Sequence, residues 1–119
     1  MSTFYISDGM ICDDVVVLIV GGEIDYEASP QLRERIMGQL KADGRRLVLD
    51  LSWATFIDST AIGVLTGAVV GLREASGGSL AIVCTHEKIL QVFEITGLAD
   101  MVGLYRSRDE ALTALAMAG

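Results

Sequence analysis

Residues 45–74 read RRLVLDLSWATFIDSTAIGVLTGAVVGLRE, and this stretch decides the fold. Residues 47–51 are apolar apart from Asp50, the pattern of an interior strand covered on both faces, and from Ala61 to Leu72 the chain is again almost wholly apolar until Arg73. Between the two runs lie Asp58, Ser59 and Thr60, which mark the start of a helix. Side-chain oxygens of Asp and Ser accept hydrogen bonds from free first-turn N–H groups, and those N–H groups with the helix dipole also favour a phosphate. A strand–turn–helix unit with a hydroxyl at the junction is therefore expected, with that hydroxyl as a candidate switch.

The helix after the junction carries Gly63, Gly67 and Gly71 on one stripe. Its uncharged segment, residues 59–72, is bounded by Asp58 and by Arg73-Glu74, which makes it too short to span a bilayer. In a soluble protein such glycines let the helix backbone approach a sheet or a partner, at about 1 kcal/mol of helix propensity each. The nearly absent polar face leaves two expectations open: complete burial, or an exposed apolar patch for a partner.

Outward from this unit, residues 3–7 and 15–20 read as two strands joined by a turn or bulged hairpin, with Asp8-Gly9 and Asp13-Asp14 as breakers and Gly21-Gly22 ending the second strand. Leu32, Ile36 and Leu40 recur every four residues in a helix over 31–42, with Ser29-Pro30 as its start and Asp43-Gly44 as its stop. Strand 46–51, the glycine-striped helix to about residue 76, the Gly77-Gly78 break and strand 80–84 follow. Helix 87–96 ends at Gly97, strand 101–105 comes next, and a last helix over 107–117 starts on a Ser107 cap with Asp109 and Glu110 in its first turn. The order β-β-α-β-α-β-α-β-α predicts an α/β fold whose parallel units have right-handed crossovers and whose sheet is made mixed by the leading hairpin.

The 119 residues fit one domain spanning 1–119 and a single core. Nine Lys and Arg against 16 Asp and Glu leave a formal charge of −7, which disfavours direct binding to nucleic acid and favours basic partners. Cys12 and Cys84 form no CxxC pair, and the opening MSTFYISDGM lacks the basic flank and apolar run of a signal peptide, so a cytoplasmic protein without membrane insertion is expected. One histidine, His86, and two distant cysteines give no zinc spacing, and neither a phosphate loop nor a dinucleotide fingerprint is present. A Ser59–His86 hydrolase lacks the glycines of a nucleophile elbow. A phospho-receiver built on Asp50 conflicts with two strands preceding the first helix, and no Lys follows Lys88. No enzymatic activity, cofactor or metal is expected.

The segment FIDSTAIGVLTGAVVGLREASGGSLAIVC at 56–84, with GEIDYEASPQLRERI upstream and VFEITGLADM downstream, resembles a STAS domain of the bacterial anti-sigma-factor antagonist type. The resemblance covers nearly the whole chain. It implies a STAS-like fold and a transcription regulator whose unphosphorylated form binds an anti-sigma factor, itself a serine protein kinase, and frees the sigma factor. Phosphorylation then ends binding until a phosphatase reverses it. The matching acceptor is Ser59, with Thr60 as a second hydroxyl, Asp58 as the first position of the motif, and Asp25 as the other acidic position near the site. Ile62, Val64 and Leu65 are the expected partner contacts. Ala61 stands where the motif usually has Gly, which predicts an altered loop if that position needs an unusual dihedral or close backbone approach. Two other functions fit the same fold: a constant adaptor of a signalling or transporter assembly with Ser59 as a mere cap, or a module that senses a nucleotide or lipid against the glycine-striped helix.

Overall fold

Strand residues 47–49 point alternately to two different cores, and the whole architecture follows from that alternation. The computed structural model describes residues 4–12, 15–41, 46–76 and 79–117. Its elements are β1 (Tyr5–Cys12), β2 (Val15–Ile24), α1 (Ser29–Lys41), β3 (Arg46–Asp50), β4 (Ala54–Ile57), α2 (Ser59–Ser76), β5 (Ser79–Val83), α3 (Glu87–Thr96), β6 (Gly103–Tyr105) and α4 (Arg108–Met117), with a 3-10 turn at Leu98–Asp100. The sheet order is β1-β2-β3-β5-β6, with β4 also paired to β2. β1 is antiparallel to β2, while the β2–β3, β3–β5 and β5–β6 pairs are parallel, so the sheet is mixed as the sequence predicts.

Leu47 and Leu49 of β3 face the larger core, where Leu18 and Val20 of β2 and Ile82 of β5 meet Leu32 and Ile36 of α1, Leu65 of α2 and Phe93 of α3. Val48 faces the other way and packs with Val15, Val17 and Val83 against Ala111 and Leu115 of α4. An interior strand covered on both sides favours apolar residues on both faces, which explains the run from Leu47 to Leu49. Each fully buried Leu, Ile or Phe contributes about 1.5–3 kcal/mol. Asp50 falls on the α4 side, where its carboxylate meets Arg108 Nε at 3.1 Å.

Three expectations are corrected. Strand β4 lies inside what reads as the turn between the β3 strand and the α2 helix: Ala54 N bonds Leu51 O at 3.0 Å, and the chain then runs parallel to β2. Next, Gly21-Gly22 does not end β2. Gly22 adopts φ 80 at a register shift, which bends the strand and carries it from its pairing with β3 to its pairing with β4, a conformation that glycine takes at little cost. Lastly, β1 runs through Asp8-Gly9 with a bulge between Asp8 and Ile11 instead of ending at Ser7. The caps of α3 and α4 follow the sequence more closely. Gly97 closes α3 in the left-handed region, and Ser107 Oγ accepts from Glu110 N at 3.1 Å while Glu110 Oε2 accepts from Arg106 N at 3.0 Å. Asp13-Asp14, Asp43-Gly44, Gly77-Gly78 and the side chain of Leu40 lie outside the described residues.

Candidate functional site

The junction that carries the polar triplet is built by β2 and β4. Ile24 and Ile57 are in register, and Asp58 N donates to Ile24 O at 3.2 Å, so Asp25 and Asp58, the next residues of the two strands, emerge side by side at their carboxyl ends. The triplet thus follows β4, not the interior strand β3 as the sequence suggests. It still occupies the end of the sheet where open α/β folds tend to place their sites.

Asp58 caps α2. Its Oδ1 accepts from Ala61 N at 3.0 Å, and its carbonyl oxygen accepts from Ile62 N at 3.0 Å. Ser59 is consequently the first helical residue, exposed, with its hydroxyl unpartnered among the described residues. The expectation that Ser59 helps to cap the helix is not met, because the cap is the preceding carboxylate. Asp25 has a comparable local duty: its Oδ1 accepts from Glu27 N and Ala28 N, both at 3.1 Å, and its carbonyl oxygen accepts from Ser29 Oγ at 2.9 Å. Ser29 is thus tied back to Asp25, and the loop entering α1 is held by the same residue that lies beside Asp58. Both carboxylates are fixed in place by backbone N–H groups next to the free Ser59 hydroxyl.

Ala61 is helical and fully buried in the core. Its methyl group fills space beneath the first turn, and the position requires no left-handed backbone, so the replacement of Gly leaves the α2 start intact. Ile62 and Leu65 are likewise interior, at 6% and 1% exposure. Of the three expected partner contacts only Val64 reaches a surface, where it lines a groove of about 400 Å³ between α1 and α2 with Arg33, Met37, Thr60, Gly63 and Gly67. The groove continues outward past Tyr26, Pro30 and Glu34. A Cβ added at Gly63 or Gly67 meets no atom within 4 Å, so the glycine stripe faces this open side and not the sheet.

Sequence reasoning passed over Arg33 and Met37. Their signal was present in the helical period: they follow the inward-facing Leu32 and Ile36 by one residue each, which aligns them along one flank of α1. Tyr26, exposed at the groove mouth, donates to Glu27 Oε1 at 3.2 Å, and that bond together with the Glu27 charge raises its phenol pKa above the ordinary value. His86 precedes α3 without a side-chain cap, and its Nδ1 is buried and unpartnered among the described residues. Burial raises the pKa of the Cys84 thiol, so it stays protonated at neutral pH. Among the described residues no group of three His, Cys, Asp or Glu side chains could hold a metal, and no helix is long and apolar enough to cross a membrane.

The profile of the STAS domain family matches residues 10–111. The chain belongs to the STAS domain family. Among curated relatives of this STAS domain, the anti-sigma-B factor antagonist of Listeria monocytogenes is 33% identical over 75% of this chain and 77% of its own length. That of Bacillus subtilis is 34% identical over 71% and 76%. Among solved structures, an anti-sigma factor antagonist from Mycobacterium paratuberculosis superposes with a TM-score of 0.83 at 29% identity, covering 92% of this STAS chain and 93% of the other.

Proposed function

We propose that this STAS protein is an anti-sigma-factor antagonist that captures its anti-sigma factor while Ser59 is unmodified and releases it once Ser59 is phosphorylated. The observation that carries the proposal is the division of labour at the helix start: Asp58 does the capping, which leaves the exposed Ser59 hydroxyl without a structural task. Relatives named as antagonists at 33% and 34% identity support the same role. The anti-sigma factor acts as the serine kinase. It supplies ATP, magnesium and the catalytic base; Ser59 Oγ attacks the γ-phosphorus, ADP departs, and the hydroxyl proton passes to the kinase. A phosphatase resets the site by hydrolysis.

A phosphate on Ser59 would add about −1.5 to −2 charges beside the fixed carboxylates of Asp25 and Asp58. A docked surface would then face repulsion and would have to desolvate that charge. Thr60, exposed one residue on and lining the groove, is the second candidate acceptor, and Val64 is the groove contact. A constant adaptor in which Ser59 serves only as a cap has no such support, because that position belongs to Asp58.

The test is a phosphosite map of the protein from its native cells under phosphatase inhibition, joined to titrations with the anti-sigma factor it retains. Phosphate on Ser59, absent from Ser59→Ala, with capture retained by Ser59→Ala and weakened at least about tenfold in Ser59→Asp, is the expected result. Equal affinity of Ser59→Asp and the natural protein would overturn it.

A further inference from the structure

The α1–α2 groove holds a single formal charge along its inner lane. Arg33 is exposed there, and its guanidinium makes no hydrogen bond or ion pair among the described residues. Its neighbours Met37, Thr60, Gly63, Val64 and Gly67 are uncharged. On a chain of net charge −7, with Asp58 fixed at the nearby helix start, a cation that has no partner among the described residues, on an inner lane otherwise free of charge, is an unmet electrostatic complement. A planar guanidinium pairs best with a carboxylate, in a two-pronged geometry that an apolar surround strengthens by excluding water.

The walls of the trough set the shape of its occupant. Gly63 and Gly67 bare the outer backbone of α2, although nothing inside the protein requires their smallness: an added Cβ at either meets no atom within 4 Å. Each costs about 1 kcal/mol of helix propensity. A gap of this kind admits the close approach of another helix, and Met37, 41% exposed, is a flexible apolar side chain able to pack against varied surfaces. Glu34 stands with Tyr26 and Pro30 in the outward continuation of the groove, which Arg33 also lines, so an acidic group there is repelled by the carboxylate and drawn to the guanidinium.

We infer that the groove is the seat for an amphipathic helix of a partner protein, laid along α2 across Gly63 and Gly67 with a Glu or Asp side chain on Arg33. The inference deepens the proposed function, since it states which chemistry the captured protein presents, and it rests on the chain acting as a protein-binding module.

The experiment uses isotope-labelled full-length protein and three synthetic amphipathic helices of about five turns, with an identical Leu/Ala seam and a central Glu, Gln or Lys. Inorganic phosphate alone is a separate arm. The Glu helix should shift the Arg33 side-chain Nε–H and the amides of Gly63 and Gly67, and should bind about tenfold more tightly than the Gln helix, the size of one charge-assisted hydrogen bond. Arg33→Glu, an exposed substitution whose folding is checked by unchanged amide dispersion, should reverse the order of the Glu and Lys helices. Equal binding of all three helices, or shifts confined to other surfaces or absent, would overturn the inference. Phosphate moving the Arg33 resonance while no helix does would also overturn it, in favour of a small-anion site. None of these readouts depends on Ser59, so failure here is distinct from failure of the phosphorylation switch.

Discussion

Removal of Arg108 should leave a charge stranded inside the protein, and a second substitution should partly repair the damage. The Asp50 side chain is 4% exposed and that of Arg108 42%, with Nε 3.1 Å from Oδ2. The other carboxylate oxygen accepts from Ser52 N at 3.0 Å and from Ser52 Oγ at 2.5 Å. At this separation the attraction is about 5 kcal/mol for an effective dielectric near 20 and about half that near 40. The exposed guanidinium favours the weaker figure, as does the loss of a cation from the first turn of α4, which relieves the helix dipole by a few tenths of a kcal/mol. Arg108→Ala is therefore expected to cost about 2–3 kcal/mol, just below the range of about 3–5 kcal/mol for breaking fully buried pairs. Asp50→Asn on top of it removes the stranded charge and keeps an oxygen for the Ser52 donors, so the double variant should be the more stable of the two. Urea and thermal unfolding of the natural protein, each single variant and the double variant decide the matter. At about 4 °C per kcal/mol for a chain of this size, Arg108→Ala should lose about 8–12 °C and the double variant should regain about half. A double variant no more stable than Arg108→Ala would refute the stranded-charge account.

Asp58→Ala should cost about 1 kcal/mol through loss of the α2 cap, whereas Asp58→Asn, which caps equally well, should stay within about 0.5 kcal/mol; paired thermal melts distinguish structural from electrostatic roles at this residue. Gly67→Ala should raise stability by about 0.5–1 kcal/mol, because its methyl group meets nothing within 4 Å and the helix gains propensity, while the Glu-bearing helix should bind it more weakly. A lower melting temperature would mean that the glycine serves the free protein. Cys84, whose thiol pKa lies above its ordinary value of 9.0 because of burial, binds its proton more tightly folded than unfolded. Its contribution to stability is thus complete below pH 9.0 and is lost as pH rises through the folded pKa. In a Cys12→Ser background, alkaline unfolding curves should show that loss, and Cys84→Ala should flatten it; identical slopes would contradict the linkage.

The sequence revealed what local chemistry controls and concealed what depends on distant pairing. The covered strand β3, the helix stop at Gly97 and the Ser107–Glu110 cap were all legible, because each depends on a few adjacent residues. Strand β4 was not: Trp53, Thr55 and Phe56 are exposed, so the segment shows no alternation, and its hydrogen bonds go to a strand about thirty residues earlier. The two glycines of β2 read as a stop because propensity cannot see a bulge that redirects a strand from one partner to another. At the site, Asp58 and Ser59 stood out as a helix start, while Asp25 gained significance only through the STAS resemblance. Helix α2 hid its orientation. Ala61, Leu65, Ala68 and Leu72 point inward and Gly63, Gly67 and Val70 outward, a division that an almost uniformly apolar sequence does not display. The groove needed two helices in place before Arg33 and Met37 could be seen to share it with Thr60.

The bonds from Asp58 N to Ile24 O and from Gly22 N to Trp53 O at 3.0 Å tie the chain before Ser59 to β2, and the Asp58 cap on Ala61 fixes the turn that carries it. Ser59 stands on a rigid pedestal. A kinase acting on it, as proposed above, would have little chain to immobilise, so the entropic toll of ordering a loop would be small. A phosphate delivered there would alter the field around the pedestal with little change in its shape. The proposed switch, so far as it works through this field, should lose contrast as salt is added.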